Sequence, residues 1–547
     1  MTPEMQARDN PTFDYRPSPD ESAAEPAHHP IIIVGAGPVG MTLAIDLAQR
    51  GQPVVVLDDD NTVSVGSRAI CYAKRVLEIW DRLGCADPMV DLGVIWKVGR
   101  VRFRDRLVYS FDLLPESGHK MPAFINLQQY HMEEQLLARI HQLETIDLRW
   151  RNKVVAVRRL ADGAEVDVET PNGVHSLRCD WLIAADGAHS PTRKALGLDF
   201  RGQVFKDKFL IGDVIIKNAD FPNERWFWFD PPFNRGQSAL LHKQAGDLYR
   251  IDFQIGWEAD AERESQPERV AARIRAMLGE DVDFKFEWIS VYTFQCRRLD
   301  RFRHGSIFFV GDAAHQVSPF GARGANSGVQ DADNLAWKLD LVIRGKAPES
   351  LLDSYDDERL YGADENLLNS TRSTDFITPK SAVSRAFRDA VLNLSERYAF
   401  ARPLVNSGRL SVPCTLDASP LNTPDEDAFA GLMRPGAPAA DAPVSAGGRE
   451  DWFLHHIGGD FVAVLFGPRA GLAELIKVDG VPVRLVTVGE GGLEDRGGLL
   501  AKRYDARPGT VYLFRPDQHV AARWRAFDRD KLAAAVRHAT ARQEKTQ

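Results

Sequence analysis

The sequence predicts a mixed α/β fold of several domains. Two observations predict its core: short apolar runs that each end in a glycine or an acid, and helical segments that follow them. A third is a central stretch of aromatic residues with alternating polarity, which is typical of antiparallel strands. At 547 residues the chain is long enough for more than one core.

The first α/β unit is expected between residues 29 and 60. The apolar run 31–34 predicts a buried strand, 38–50 predicts a helix that stops at Gly51, and 54–57 predicts a second strand. A strand, a helix and a strand in this order are typical of a parallel βαβ unit.

The turn between the first strand and the helix fits G-x-G-x-x-G. Gly35 allows the tight turn, Gly37 lets the backbone approach a pyrophosphate, and Gly40 lets the helix pack close to the strand. Pro38 suits the first helical position, and Asp58 at the end of the second strand can accept hydrogen bonds from a ribose. The stretch therefore predicts a Rossmann-like dinucleotide site, but it does not distinguish FAD from NAD.

Two further apolar runs also deliver an acid at their carboxyl ends. Residues 181–185 lead to Asp186 and Gly187, and residues 306–310 lead to Gly311 and Asp312. In open α/β sheets ligands bind at this end of the strands. A long helix is expected over 327–344, and its glycine-rich start can stabilise a group that gains negative charge.

Composition excludes several classes of function. A net charge of −9 argues against nucleic acid as the main partner. The five cysteines are far apart with no C-x-x-C, which predicts no disulfide framework, no metal site and a reducing, cytoplasmic setting. No stretch of about twenty uncharged apolar residues is present, so no membrane span is expected.

Composition also divides the chain. Residues 1–28 are polar and predict a disordered tail, and 200–298 predict an antiparallel sheet inserted into the first domain. Within that sheet, packing on the sheet face is preferred over substrate contact for Trp226 and Trp228. A helical segment is expected at 376–415 and a linker at 416–450, followed by a compact α/β unit at 451–547.

Together these stretches resemble the single-component flavoprotein aromatic hydroxylases, the para-hydroxybenzoate hydroxylase superfamily, over roughly residues 30–375. The resemblance implies that Asp186 and Gly187, with Ser190 and Arg193, form the DG motif, and that Gly311 and Asp312 begin the GD motif. A signature common in the helix that follows the GD motif is matched by Asp331, Asn334, Leu335, Trp337 and Lys338.

The residues implied to bind FAD are Gly35, Gly37, Pro38, Gly40, Asp58, Gln129, Asp186, Gly187, Gly311, Asp312, Gly324, Ala325 and Asn326. Arg68 is either a phosphate ligand or a surface arginine, and Gln129 fits the expected register better than Gln128.

The resemblance also implies a domain plan. It places an FAD-binding domain at 29–199 and 299–375, a substrate domain at 200–298, and a contribution from 92–124 to the substrate side. Larger members, such as phenol hydroxylase and the 3-(3-hydroxyphenyl)propionate hydroxylase type, carry a thioredoxin-like third domain, which residues 451–547 resemble. That unit has no cysteine and so no redox role, and it is expected to matter for structure, as in a homodimer. Because the cofactor segments precede residue 345, loss of 416–547 is not expected to abolish FAD binding, although it can cost stability or dimerisation if the unit covers an apolar face.

The activity implied is hydroxylation of a phenolic ring ortho or para to an activating group, with NADH or NADPH as co-substrate and O₂ as oxidant, in aromatic catabolism. Pro319, Arg323 and His315 are the implied catalytic residues. A structural histidine is the alternative for His315. Arg323 stands where para-hydroxybenzoate hydroxylase has a lysine near the flavin, and a solvated loop arginine is the alternative for it. For the base that deprotonates the phenol, nothing in the sequence chooses among His242, Tyr249 and Arg250. Alternatives are a flavoprotein dehydrogenase or halogenase, a monooxygenase of polycyclic, polyketide-like aromatics, and a non-catalytic flavin-binding protein.

Overall fold

The fold is built on two large β-sheets and a smaller carboxy-terminal sheet. The structure, a computed structural model, describes residues 5, 8–405, 412–468 and 471–542. Residues 1–4, 6 and 7 of the predicted tail, 406–411 of the predicted helical segment and 543–547 of the last unit lie outside the described residues.

The first part of the chain alternates strands and helices. Its elements are β1 (Ala27–Val34), α1 (Pro38–Gln49), β2 (Val54–Leu57), β3 (Cys71–Ala73), α2 (Lys74–Arg82), α3 (Ala86–Leu92), β4 (Val94–Trp96), β5 (Val98–Phe103), β6 (Arg106–Asp112), β7 (Phe124–Asn126), α4 (Gln129–Ile140), β8 (Ile146–Arg149), β9 (Lys153–Leu160), β10 (Gly163–Thr170), β11 (Gly173–Ala184) and α5 (Pro191–Ala195).

The middle part is mainly strand and then mainly helix. Its elements are β12 (Arg201–Ile216), β13 (Glu224–Phe229), β14 (Ser238–Lys243), β15 (Leu248–Gln254), α6 (Ala261–Glu264), α7 (Pro267–Leu278), β16 (Phe284–Arg298), β17 (Arg303–His304), β18 (Ile307–Phe309), β19 (His315–Gln316), α8 (Gly324–Ile343), α9 (Asp353–Ile377), α10 (Ala382–Arg397) and α11 (Arg402–Val405).

The last part is a small α/β unit. Its elements are β20 (Pro443–Ala446), β21 (Arg449–Trp452), β22 (Phe461–Phe466), β23 (Leu475–Val478), β24 (Val481–Val488), α12 (Leu499–Arg503), β25 (Val511–Phe514), β26 (Val520–Trp524) and α13 (Arg529–Ala539). The strands predicted at 461–466, 481–488 and 511–514 are confirmed.

The first sheet is parallel at its centre. Its order is β17-β18-β11-β1-β2-β8, and β1 pairs in parallel with both β2 and β11. β2 pairs in parallel with β8, and β11 with β18. The strands predicted near 31–34, 54–57, 181–185 and 306–310 therefore lie side by side, and their carboxyl ends reach the same edge. The helices α1 and α8 pack against each other.

The second sheet is largely antiparallel and carries the inserted segment. Its order is β19-β16-β12-β15-β14-β13-β5-β6, so strands from 98–112 extend the sheet built by 200–298. One face packs on α7 in a core that includes Trp226 and Trp228, whose rings contact each other edge to face at 5.5 Å between centroids. The prediction that these tryptophans serve packing agrees with this arrangement.

The amino-terminal segment differs from the disordered tail that its composition predicts. Phe13 stacks on Trp150 with ring centroids 4.8 Å apart, and Arg8 pairs with Glu134 at 2.7 Å. Ser18 caps a 3-10 helix at Pro19–Ser22. A few aromatic and charged contacts hold residues 8–26 on the first domain, and a composition average does not register them.

Residues 416–442 also differ from the loose linker predicted at 416–450. They pack on the last unit through buried Leu416 and Leu421, and their backbone N–H groups at Thr423, Gly436 and Ala439 donate to carbonyls of 518–521. β20 and β21 pair as a two-stranded ribbon. The proline and glycine content therefore reflects an irregular path across a surface and not a free spacer.

The carboxy-terminal sheet has the order β23-β24-β22-β25-β26. β22 and β24 are parallel, whereas β25 is antiparallel to both β22 and β26. α13 packs on this sheet in a core shared with Trp337 and Leu341 of α8. The unit is thus continuous with the first domain through apolar contacts.

A buried ion cluster, the interface cluster, joins the last unit to α8 and α9. Arg515 donates to Glu358 at 2.5 and 3.0 Å and to Asp517 at 2.5 and 3.0 Å. Lys338 donates to Glu358 at 2.7 Å, and the Trp337 indole N–H donates to Asp517 at 3.1 Å. These side chains are fully buried, and the cations hold the pKa of Glu358 below its usual range against the opposing effect of burial.

A second contact of the same kind lies beside the interface cluster. Arg75 donates to Asp333 at 3.1 Å, to the carbonyl of Asp517 at 2.7 Å and to Gln518 at 3.0 Å. Removing residues 416–547 would take Arg515 from Glu358, and the Asp517 carbonyl and the Gln518 side chain from Arg75, while Lys338 stays with Glu358 and Asp333 stays with Arg75. The structure therefore predicts a cost in stability for this truncation, because it removes partners of buried charges as well as apolar contacts. None of the helices in the described ranges is long and apolar enough to cross a membrane.

Candidate active site

The carboxyl ends of four parallel strands meet at one edge of the first sheet. Val34 of β1 stands beside Leu57 of β2 and Ala184 of β11, and Ala184 stands beside Phe309 of β18. The loops that leave these strands carry the predicted motifs. The structure thus brings together residues that are far apart in the sequence.

A continuous cavity of about 510 Å³ runs from this edge to the second sheet. The predicted site residues that line it are Gly35, Gly37, Pro38, Asp58, Arg68, Gln129, Asp186, Gly187, Gly311, Asp312, Pro319, Arg323, Gly324, Ala325 and Asn326. Gly40 and His315 do not line the cavity. Fifteen residues predicted from motifs therefore share one space.

The glycine-rich loop is open where it faces the cavity and closed behind. Gly37 is the N-cap of α1, and a Cβ added there would meet nothing within 4 Å. At Gly40 an added Cβ would lie 2.0 Å from the carbonyl oxygen of Gly35. Gly40 therefore serves close packing of helix on strand, and Gly37 leaves a free cradle at a helix N-terminus, where anions are stabilised.

Asp58 closes the same end of the cavity. Its carboxylate accepts from the backbone N–H groups of Ala36 at 2.5 Å and of Asp60 at 2.9 Å. Burial raises the pKa of Asp58 to about 6, opposed by these two hydrogen bonds and reinforced by the charges of Asp59 and Asp60. The carboxyl group is thus protonated to a substantial degree at mildly acidic pH.

The structure separates the two candidate glutamines. Gln129 begins α4 and lines the cavity, where it accepts from the N–H of Ala69 at 3.1 Å and donates to Glu133 at 2.8 Å. Gln128 turns away and donates to the carbonyl of Ala245. Arg68 is exposed and lines the cavity, and its charge opposes the rise that burial causes in the pKa of Asp312.

The DG loop presents an unsatisfied oxygen. Asp186 accepts from the N–H of Thr192 at 2.9 Å with one carboxylate oxygen, while the other is buried without a hydrogen-bond partner among the described residues. Arg193 instead ties the DG and GD loops together, because its guanidinium donates to the carbonyls of Ala188 and Ala313. A buried acceptor without a partner is the feature expected where a bound ligand supplies the donor.

The position of His315 corrects its predicted catalytic role. The ring is 1% exposed, and Nε2 lies 2.7 Å from Asp331, which also accepts from the N–H of Gly311 and from Arg359. His315 and Asp331 therefore hold the GD loop from behind. Asp312 faces the cavity, and burial raises its pKa while His315 and Arg68 lower it.

The loop that begins α8 carries the remaining predicted residues. Pro319 faces the cavity, and Arg323 is the N-cap of α8 and donates to Asn366 at 3.0 Å. The side chain of Asn326 accepts from the N–H of Ala73 and donates to the carbonyls of Cys71 and Ala322. Because these bonds occupy its amide group, Asn326 shapes the cavity by bracing two loops.

The second sheet supplies a polar wall that the sequence indicates only in part. His242 and Arg250 of the candidate bases line the cavity together with Arg225 and Asp252. Tyr249 lies on the opposite face, in the core that packs on α7. The alternation of a strand explains this, since neighbouring residues point to opposite faces.

Comparison with known proteins agrees with this architecture. Residues 28–370 match the FAD binding domain family. Over 92% of both chains the sequence is 30% identical to a 6-methylpretetramide 4-monooxygenase of Streptomyces rimosus. The chain belongs to the FAD-dependent monooxygenases.

One further relative and two solved structures are also similar to this chain. A 3-(3-hydroxy-phenyl)propionate/3-hydroxycinnamic acid hydroxylase of Mycolicibacterium smegmatis is 28% identical over 66% of this chain, and the match spans 64% of that relative's length. Among solved structures, the flavin-dependent monooxygenase PieE in complex with FAD and substrate has a TM-score of 0.81 at 22% identity, covering 95% of this chain and 100% of that one. Aklavinone-11 hydroxylase with FAD and aklavinone has a TM-score of 0.77 at 22% identity over the same shares. These structural matches establish the shared fold.

Proposed function

We propose that the chain hydroxylates a phenolic aromatic compound, with FAD as cofactor, NADH or NADPH as reductant and O₂ as oxidant. The observation that carries the proposal is the continuous cavity, which joins the loops of the dinucleotide-binding edge to a polar wall on the second sheet. Such a space accommodates a cofactor at one end and a ring at the other. FAD supplies the redox chemistry, and the protein binds, orients and shields the reactants.

The residues at the dinucleotide edge fit FAD by the chemistry of their groups. The cradle at Gly37 offers backbone N–H groups to a pyrophosphate, and the Asp58 carboxylate suits ribose hydroxyls. The unsatisfied oxygen of Asp186 suits a further hydroxyl donor. We assign Arg68, Gln129 and Asp312 to the same cofactor because they line the space between these groups.

The test is a panel of aromatic compounds scored by product. Purified protein with FAD is incubated with NADH or NADPH and ¹⁸O₂ together with phenols, hydroxybenzoates, hydroxyphenylpropionates, aminophenols and polycyclic hydroxyquinones. We expect one labelled oxygen atom in the ring of at least one compound. Protein that does not retain FAD, or that oxidises the reductant without any labelled product across the panel, contradicts the proposal.

A second candidate is a polycyclic aromatic substrate in place of a monocyclic phenolic acid. The match to 6-methylpretetramide 4-monooxygenase extends over 92% of each chain, whereas the match to the hydroxyphenylpropionate hydroxylase spans 64% of that relative. The panel separates the two by the ring size of the best substrate.

We also propose that residues 451–547 form a thioredoxin-like domain with a structural role. A parallel pair of strands next to an antiparallel hairpin, followed by α13, supports this reading. The sequence after Cys414 contains no cysteine, so thiol–disulfide chemistry is not available to the domain. A homodimer stays a prediction, and size-exclusion chromatography with light scattering tests it.

The raised pKa of Asp58 predicts that FAD affinity depends on pH. Ribose hydroxyls favour the ionised carboxylate, so binding to the protonated form requires release of a proton, and affinity rises with pH through about 6. We expect FAD to bind roughly tenfold more weakly at pH 5 than at pH 7.5, measured by flavin fluorescence quenching. Asp58→Asn should remove this dependence and the exposed control Asp91→Asn should retain it. An equal Kd at both pH values in the wild type would contradict the role of Asp58.

The position of Arg323 predicts an effect on flavin reduction. Its cation lies at the cavity wall and at the start of α8, where it stabilises negative charge that a flavin gains on reduction. Arg323→Met should lower the flavin potential and slow reduction by NADH by roughly tenfold while FAD content stays near that of the wild type. Redox titration and anaerobic stopped-flow spectroscopy measure both quantities.

Two variants serve as controls for Arg323. Arg323→Lys keeps the charge and should keep the potential, and Arg344→Met removes a half-exposed cation at the other end of the same helix. An unchanged potential in fully flavinated Arg323→Met would show that the residue only braces the loop.

A further inference from the structure

A row of charged side chains crosses the cavity face of the second sheet. Arg225 of β13 is the register partner of His242 on β14, His242 of Arg250 on β15, and Arg250 of Asp213 on β12. Asp252 lies one pleat further along β15, on the same face. Adjacent strands are about 5 Å apart, so each side chain of the row is within reach of the next.

Arg250 and Asp213 satisfy each other. The guanidinium donates to both carboxylate oxygens of Asp213, at 2.8 and 2.7 Å, and to the carbonyl of Ser67. Both side chains are buried. In a bidentate pair of this kind the facing donors and acceptors are already bonded to each other. The members of the row that can act on a ligand are therefore Arg225 and His242.

His242 is oriented by Asp252. Its Nε2 lies 3.1 Å from a carboxylate oxygen of Asp252. Because an ionised carboxylate only accepts hydrogen bonds, Nε2 carries the proton and Nδ1 carries the lone pair. Nδ1 has no hydrogen-bond partner in the part of the chain that the structure describes, although the ring is 1% exposed.

Arg225 is buried and forms no ion pair among the described residues, although its charge helps to lower the pKa of Asp252. It is 5% exposed, and its recorded contacts are the thiol sulfur of Cys71 at 3.8 Å and the rings of Trp96 and Phe227 at 5.8 and 5.2 Å. Its Nε has no hydrogen-bond partner, and no ion pair to a carboxylate is found for it within the described ranges. A negatively charged ligand group would stabilise a buried cation that has no ion pair.

The groups around His242 keep it neutral at physiological pH. Burial lowers its pKa to about 4, with help from the positive charges of Arg225 and Arg250 and against the effect of Asp252. The facing thiol of Cys71 is neutral too, because burial raises its pKa. Asp213 contributes no free negative charge, since it is paired with Arg250. A neutral imidazole held by a carboxylate is the arrangement of a general base.

We propose that His242 accepts the phenolic proton of the substrate at Nδ1, directly or through one water, and that Arg225 binds the oxygen left negative. The substrate O–H bond breaks and an Nδ1–H bond forms. Asp252 balances the charge of the imidazolium, and no electrons change hands. The proposal rests on the proposed function and deepens it, because it restricts the substrate to rings with an ionisable hydroxyl placed beside the polar wall.

The first test is the pH dependence of product formation in His242→Gln. Wild-type kcat/KM should be constant between pH 6 and 8. In the variant only substrate that is already ionised reacts, so we expect kcat/KM to fall roughly 100-fold at pH 6 and to recover about tenfold per pH unit. A residue with a purely structural role would lower activity without this recovery. Asp252→Asn should show a smaller loss of the same form.

Controls distinguish a folding defect, a wrong assignment of the base and a wrong overall function. The FAD content and melting temperature of His242→Gln should match those of the wild type. Tyr249→Phe, on the opposite face of the sheet, should keep the wild-type pH profile. If the wild type forms no product, the proposed function fails. If the wild type is active and His242→Gln keeps its pH profile, only the assignment of His242 fails.

The second test needs no turnover. 4-Nitrophenol is titrated into the oxidised, FAD-loaded protein, and its absorbance reports the pH at which the bound probe ionises. In the wild type that pH should lie at least one unit below the value in solution, and in Arg225→Met the shift should be lost. Arg225→Lys should keep most of it. A probe that fails to bind the wild type, or that ionises at the same pH in the wild type and in Arg225→Met, overturns the assignment of Arg225.

Discussion

Arg515→Met is expected to lower the free energy of unfolding by about 3–5 kcal/mol, the cost typical of a buried charge that loses its partner. Arg515 is the centre of the interface cluster, where it neutralises both Glu358 and Asp517. Without it Lys338 stays paired with Glu358, and the Asp517 carboxylate keeps His519 at 3.3 Å. Urea unfolding of the FAD-loaded protein, followed by circular dichroism, measures the change.

Arg434→Met is the matched control for Arg515. Arg434 also pairs with a carboxylate, Asp417, but both side chains are more than two-fifths exposed, and exposed pairs contribute about 0–1 kcal/mol. Equal unfolding free energies for the two variants would contradict the importance of the interface cluster. A chain that ends at residue 415 should behave like a more severe form of Arg515→Met, with aggregation in place of soluble yellow protein.

Gly37→Val is expected to abolish FAD binding without unfolding the protein. The backbone of Gly37 is extended, with φ −73° and ψ 179°, and a side chain there would meet no protein atom within 4 Å. It would instead fill the cradle at the start of α1 and keep the pyrophosphate from the backbone N–H groups. Loss of such charge-assisted hydrogen bonds corresponds to roughly a 100-fold or larger increase in the Kd for FAD.

Gly40→Val is the comparison variant, because Gly40 lies in the same motif but is closely surrounded by protein atoms. An added Cβ would lie 2.0 Å from the Gly35 carbonyl oxygen and 3.2 Å from the Ala185 side chain, so this variant should lose stability as well as flavin. The comparison is made by melting temperature and by titration with FAD. Gly37→Val protein that purifies with a full complement of flavin would refute the location of the cofactor.

The dinucleotide edge could be predicted from the sequence because its determinants are local. A run of apolar residues, three glycines and an acid specify β1, α1 and β2 within thirty residues, and the structure has each element close to its expected bounds. The same holds for Asp186 and Asp312, which lie two and three residues after the ends of their strands. Parallel pairing then brings these loops to one edge without any further information.

The polar wall of the second sheet could not be predicted, since it depends on the register of the strands. Arg225, His242, Arg250 and Asp213 form one row only because four strands pair with a particular offset, and a shift of one residue would turn each side chain to the other face. Nothing local to Tyr249 or Arg250 indicates which of the two faces the cavity. For a related reason the sequence leaves the role of His315 open between a catalytic and a structural one, because its partner Asp331 comes from the next helix.

The family signature in α8 has a physical explanation that the sequence conceals. Asp331 braces the GD loop, and Asn334, Trp337 and Lys338 bond to Glu358 and Asp517 at the far end of the helix. In the sequence these residues resemble part of a cofactor motif because they follow the GD motif. In the structure Trp337 contacts the last unit directly, and Asn334 and Lys338 hold Glu358, which pairs with Arg515 of that unit.

α8 also limits how this chain can be recombined with its relatives. The helix has 20 residues and is therefore about 30 Å long, with the cavity at Gly324 and the interface cluster near its other end. A carboxy-terminal unit taken from another member brings its own versions of Arg515 and Asp517, but it must dock on the Trp337, Lys338 and Glu358 of the recipient. Chimeras joined in the irregular segment before β20 should fold only when both sides of the interface cluster come from the same parent. We therefore expect α8 and the last unit to be exchangeable only together, and substrate preference to be exchanged through the second sheet.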